Sequence, residues 1–145
     1  MKKLFLTAFM LLGLTFVSQA QSWEAYLTKL TSAIKCNAGL YGLDGTQWAG
    51  HANLSLPADE VKYIISGFAN PGQLFASSPK VNGVKYMTMK ADDNSIILKH
   101  GIDGVVCKKS KRTVTICKFS ESNVTPAQAN IATSNFADLM KSINF

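Results

Sequence analysis

The sequence predicts an α+β fold, an α/β sandwich in which one antiparallel sheet carries the first and last helices on one face and smaller helices on the other. Three observations predict it. Apolar residues recur at helical spacing near both ends, turn-separated alternating segments fill residues 80–119, and no repeat, linker or low-complexity tract divides the chain. Residues 1–20 read as a leader, which leaves 21–145 as a single domain. A domain of that size buries about two thirds of its unfolded surface and needs no disulfide or metal staple.

The leader has three parts. Met1-Lys2-Lys3 supplies charge, Leu4 to Val17 an apolar run, and Ser18-Gln19-Ala20 a small-x-small cleavage site. At about fourteen residues the run is too short to stay in a bilayer as a spanning helix. After it, Trp23, Tyr26, Leu27, Leu30 and Ile34 recur at helical spacing with Ser22 as N-cap, which predicts a helix over 23–34. Strands follow at 36–43 and 46–50 around Asp44-Gly45, a dipeptide suited to a tight hairpin turn. Pro57 at the first helical position, with Asp59 and Glu60 in the first turn, opens a second helix whose buried stripe is Val61, Ile64, Ile65 and Phe68. Residues 73–77 form a short further turn of helix.

Strands come next, at 80–81 and 84–90 around Asn82-Gly83, then at 96–100, 105–109 and 112–119, a meander joined by short turns. Thr125, Pro126 and Gln128 combine an N-cap, a proline at the first position and a capping-box partner. They open a last helix with Ala129, Ala132, Phe136, Leu139, Met140 and Ile143 on one face. Packing both terminal helices on one face of the sheet brings the chain ends together. Trp23 and Tyr26, three residues apart on one helical face, then join Trp48 in a ledge of flat rings, each with a polar tip.

Lys+Arg 15 against Asp+Glu 9 gives a net charge of +6, and the excess is concentrated between Lys80 and Lys118. Such a face attracts an acidic protein surface or anionic lipid and is sensitive to salt. Cys36, Cys107 and Cys117 are odd in number and sit in strand-like sequence, as buried small hydrophobes would. Asn53 and Asn123 stand in glycosylation sequons. His51 and His100 lack the neighbours of a zinc site, Asp92-Asp93 belongs to a turn, and neither a phosphate loop nor a nucleophile elbow is present. No enzyme activity, cofactor, metal or nucleic-acid partner is expected.

Seven segments in order resemble the profilin family, most closely its amoeboid and fungal type. They are Ser22-Trp23-Glu24-Ala25-Tyr26, Asp44-Gly45-Thr46-Gln47-Trp48-Ala49, Gly67-Phe68-Ala69-Asn70-Pro71, Val81-Asn82-Gly83-Val84-Lys85-Tyr86-Met87, Lys90-Ala91-Asp92-Asp93-Asn94-Ser95-Ile96, Gly104-Val105-Val106-Cys107 and Phe136-Ala137-Asp138-Leu139. The resemblance implies a profilin-like sandwich and a cytoplasmic, non-enzymatic regulator associated with the actin cytoskeleton. It binds monomeric actin, speeds exchange of actin's nucleotide, binds proline-rich proteins and touches phosphoinositide membrane surfaces. Carried over residue by residue, the polyproline site falls on Trp23, Tyr26, Trp48, Leu139, Met140 and Phe145. The actin face falls on Lys85, Lys90, Lys99, His100, Asn130, Ile131 and Asn135. Leu139 and Phe145 stand where the family often has residues with a hydrogen-bond donor, so the resemblance implies weaker proline binding; Lys90 and Asn94 replace arginines. The leader departs from the family, and the second reading is an exported module that keeps the aromatic groove without actin as a partner.

Overall fold

The computed structural model describes residues 23–51 and 54–145. The leader, the Ser22 cap and the Asn53 sequon lie outside the described residues. Helix α1 covers residues 23–33 and is followed by β1 (Asn37–Gly42), β2 (Gln47–His51), α2 (Ala58–Ala69), α3 (Pro71–Ala76), β3 (Lys80–Val81) and β4 (Val84–Lys85). Then come β5 (Met87–Ala91), β6 (Ser95–His100), β7 (Asp103–Lys109), β8 (Thr113–Ser120) and α4 (Pro126–Ser142). Six strands form one antiparallel sheet in the order β2-β1-β8-β7-β6-β5, and β3 pairs with β4 as a separate hairpin.

Strand alternation sends successive side chains to opposite faces. Leu98, Val105 and Ile116 meet Val61, Ile64, Phe68 and Leu74 of α2 and α3 on one side. Ala38, Leu40, Ala49 and Cys117 meet Leu27, Leu30, Phe136 and Met140 of α1 and α4 on the other, and Val106 and Phe119 close under Ala129. The expected sandwich is therefore the observed one. On the terminal-helix side α4 packs across β7 and β8, while Glu24 of α1 accepts a hydrogen bond from the Gly50 N–H of β2 at 3.1 Å. On that side edge strand β5 lies beyond the helices, and Ile97 of β6 packs half-buried against the cluster of Val106, Phe119 and Ala129.

Three local expectations change. The Asp44-Gly45 turn is not a two-residue hairpin: only Gly45 takes positive φ (91°), the Gly45 N–H donates to Gly42 O and the Gly42 N–H to Thr46 O, which makes a three-residue loop closed by a bulge. Pro57 occupies the N-cap rather than the first helical position. The strand expected over 84–90 breaks at Tyr86, which is buried and whose N–H donates to Pro79 O. Glu60, a first-turn acid of α2, is 8% exposed because its carboxylate accepts the Asn82 and Gly83 N–H groups at 2.6 and 2.7 Å. Both turn residues have positive φ there, 53° and 81°, so α2 caps the type I′ turn of the β3–β4 hairpin. The capping box of α4 forms as read, with Thr125 and Gln128 each bonding the other's backbone N–H.

Candidate functional site

Four rings from three separate elements meet at the α1 end of the sheet. Trp23 is their hub: its ring centroid lies 5.9 Å from Tyr26, 5.3 Å from Trp48 and 4.8 Å from Phe145, and Trp48 lies 5.9 Å from Phe145. All are tilted or edge-on, the arrangement the ring quadrupole favours. All are also half-buried, so each offers a face or edge to solvent. Among the described residues, the Trp23 and Trp48 indole N–H groups and the Tyr26 hydroxyl donate to no protein acceptor. Three donors on a clean apolar ledge suit a ligand with unpaired backbone carbonyls and flat apolar rings, as a polyproline II helix has.

Local structure explains the convergence. Leu40 pairs with Ala49 and Tyr41 with Gln47, so Trp48 is the extra residue of a β-bulge. Strict alternation would send Trp48 away from α1; the bulge turns it to the face that Ala49 already occupies. At the far end α4 closes in a Schellman motif. Asn144 holds φ at 75°, its N–H donates to Lys141 O, and the Phe145 N–H donates to Met140 O at 2.8 Å. That turn folds Phe145 back over Met140. The Ser110 hydroxyl and the Arg112 N–H both donate to Phe145 O, and the Arg112 guanidinium stands 5.3 Å from the Phe145 ring centroid.

Of the six residues expected in this groove, five lie on or beside the ledge: Trp23, Tyr26, Trp48, Phe145 and half-buried Leu139. Met140 is corrected. It is 0% exposed and forms the floor on which Phe145 rests, not a surface that a ligand reaches. Arg112 and Lys29, whose ammonium stands 5.4 Å from the Tyr26 ring centroid, were not read from the sequence. Nothing local ties the β7–β8 turn to Phe145, although Asn144 before the final aromatic was a usable αL signal.

The second expected surface is dispersed. Lys90 and Lys99 pair across from Ile97 and Met87 and share the terminal-helix face of β5 and β6, where Met87 is 65% exposed. Their charges are partly met by Asp92 at 3.6 Å and Glu121 at 3.1 Å. Backbone N–H bonds, first that of Asn94, hold the Asp92 carboxyl below the ordinary range. His100 follows Lys99 directly and therefore points to the opposite face, where its ring lies 5.4 Å from Tyr86. Lys85 belongs to the separate hairpin. On α4, Asn130 shares a flank with Ser134, which lines a depression with Asn94, Ser95 and Lys108, whereas Ile131 and Asn135 face the end of α1. Among the described residues no cluster of three or more His, Cys, Asp or Glu side chains could hold a metal ion.

A family model described as profilin matches residues 21–145. Profilin-A of Physarum polycephalum is 36% identical over 122 residues, covering 83% of this chain and 96% of the relative. Profilin of Saccharomyces cerevisiae is 33% identical over 126 residues, covering 86% and 99%. Among solved structures, Acanthamoeba castellanii profilin IA superposes with a TM-score of 0.77 at 29% identity, covering 85% of this chain and 99% of that one. The fold is also shared with the profilin of the LokiProfilin1/rabbit actin complex, with a TM-score of 0.68 at 16% identity over 85% of this chain and 96% of that one.

Proposed function

The chain belongs to the profilin family, and from that premise we propose that it regulates actin assembly by holding the actin monomer and by capturing proline-rich proteins on the Trp23 ledge. The observation that carries the proline-binding half is the meeting of four half-buried rings on one ledge, with three donors that find no protein acceptor among the described residues. A polyproline II chain loses little conformational entropy on docking, its rings pack flat on the indoles, and its carbonyls accept from Trp23, Tyr26 and Trp48. Leu139 and Phe145 contribute apolar area and no donor. With a net hydrogen bond worth about 1 kcal/mol, two missing donors weaken binding without abolishing it.

For the actin half, the outer part of the terminal-helix face, on β5 and β6, combines Lys90 and Lys99 with exposed Met87, a mixture of cation and apolar area that suits an acidic protein surface. Asn130 borders this face; His100 and Lys85 stand apart from it. The protein performs no chemistry of its own. Faster nucleotide exchange follows if the bound actin is held in its more open state, a difference of affinity between two conformations. The same basic strands attract phosphoinositide headgroups. Retention on polyproline resin together with slower pyrene-actin assembly supports the proposal. Resin binding with no effect on pyrene-actin removes the actin half.

The leader favours a second compartment. The family match begins at residue 21, one position past the Ser18-Gln19-Ala20 cleavage site, so removal of the leader would release the matched domain intact. Site of action in the cytoplasm, the family's compartment, and export are separated by mass spectrometry of the native protein. A start at Gln21 with a glycan on exposed Asn123 means export, and a retained Met1 means the cytoplasm.

A further inference from the structure

We infer that Cys36 and Cys117 form a redox pair: Cys36, reached from a basic depression, is the attacking thiol, and Cys117 beneath α4 closes a disulfide with it. Neither the ledge nor the basic face takes part. Strand parity divides the three cysteines, all of them thiols in this structure. Val106 pairs with Cys117 and Cys107 with Ile116, so Cys107 points into the α2-side core while Cys117 points to the terminal helices. Cys36 directly precedes β1, in which Asn37 pairs with Lys118 and Ala38 with Cys117. By alternation it shares the face of Ala38, and it packs on the same cluster as Cys117. Two cysteines therefore lie diagonally across one strand pair, and the third is shut away behind the sheet.

Reach and reactivity both fit. Diagonal neighbours in an antiparallel pair have Cα atoms about 7–8 Å apart, and a disulfide wants them within about 7 Å. Cys36 stands in the connection between α1 and β1, outside the ladder, so a small shift there closes the gap without disturbing a strand. The two thiols already interact: the Cys117 thiol holds that of Cys36 below its ordinary range against the opposing effect of burial, and the same contact, with burial, raises Cys117. A thiol lowered in this way is the better attacker in thiol–disulfide exchange. Cys107 and Cys117 are both 0% exposed, so half-buried Cys36 is the point of entry. It lines a depression of about 400 Å³ with Lys35, His51, Lys118 and Asp103, whose excess of basic groups suits an anionic low-molecular-weight disulfide such as oxidised glutathione. The Cys36 thiolate attacks one sulfur of that disulfide and expels the first glutathione thiolate, which leaves a mixed disulfide. The Cys117 sulfur then attacks Cys36 Sγ and expels the second. The protein gives up two electrons and two protons, and the oxidant leaves as two thiols. In an oxidising compartment, where the leader would deliver the chain, the pair closes; in a reducing cytoplasm it stays open.

The test incubates the full chain with oxidised glutathione or with dithiothreitol, then counts free thiols in denaturant and maps the peptides without reduction. Wild type should fall from three thiols to one, with a peptide that joins Cys36 to Cys117. Cys107→Ala should lose both of its remaining thiols, and Cys36→Ser, a change at a half-buried position, should keep both of its own. Closing a loop of about 80 residues should raise the melting temperature of oxidised wild type by about 10 °C over the reduced protein, with no such difference for Cys36→Ser. Three thiols retained by oxidised wild type overturn the pair, as does a glutathione that stays on Cys36. A link from Cys36 to a second chain, or to Cys107, overturns it as well, because Cys117 is then not the partner.

Discussion

The aromatic ledge and the basic face are built under different constraints. Every ring of the ledge is also a partner of the terminal-helix core: Trp23, Tyr26, Trp48 and Phe145 pack on the cluster that contains Leu27, Leu30 and Met140. Folding the domain therefore assembles the ledge, and the same burial that stabilises the helices fixes the ring geometry. The lysines of the basic face bury little and pair with partly exposed carboxylates at the surface, interactions each worth about 0–1 kcal/mol. Nothing in folding forces them together. A site made of core residues is preorganised, and a site made of charges is only as compact as strand parity allows.

Three changes break or sharpen that contrast. Met140→Ala should have the largest effect, because it opens a cavity under Phe145: a loss of about 2–5 kcal/mol in unfolding free energy, read by denaturant titration, with polyproline binding weakened alongside. Coupled loss is the signature of a site fused to the core; unchanged ligand binding would separate the two. Next, Lys90→Glu with Lys99→Glu should weaken actin binding several-fold at low salt and less at high salt, with unfolding free energy altered by no more than about 1 kcal/mol. His100→Ala should leave actin binding within about twofold, since His100 lies on the other face. Sedimentation or pyrene-actin titration across salt concentrations checks both, and an equal effect of His100→Ala would show that the surface wraps the sheet edge.

The smallest effect at neutral pH is the alkaline limit, which both regions share through the core on the α2 side. Burial pushes the Tyr41 hydroxyl up to about 12 from 10.0, and the Cys107 thiol up to about 12 from 9.0. Both folded values are raised, so the stability they contribute is fully present below pH 9. It falls as pH rises from 9 toward 12, because the unfolded chain releases those protons first. Melting temperature against pH should decline through that window, and Tyr41→Phe should flatten the part of the decline above pH 10. An unchanged slope would mean that other groups set the limit.

Much of this was legible in the sequence, for identifiable reasons. Thr125, Pro126 and Gln128 encode a helix start locally, and the structure forms it as written. Trp23 and Tyr26 needed only helical spacing. The position of Trp48 depended on a bulge, which is settled by pairing across strands and leaves no mark at residue 48 itself. Met140 could not be told from Leu139 by periodicity, since both fall on the apolar stripe and only the Schellman turn decides which one Phe145 covers. Glu60 reads as a first-turn helix acid, and its burial depends on the distant Asn82-Gly83 turn being placed against it. The parity of Lys99 and His100 was available, because adjacent strand residues cannot share a face; grouping them by family position alone hid it.

The central claim is that Trp23 joins rings from α1, β2 and the end of α4 into one ligand surface, physically separate from the basic strands. Trp23→Ala tests it most directly, measured as polyproline affinity and actin affinity on the same protein preparation. Loss of the hub should weaken polyproline binding by about thirtyfold or more, the scale of a hot-spot aromatic, with actin affinity unchanged. Polyproline affinity close to wild type, or an equal loss for both partners, would contradict it.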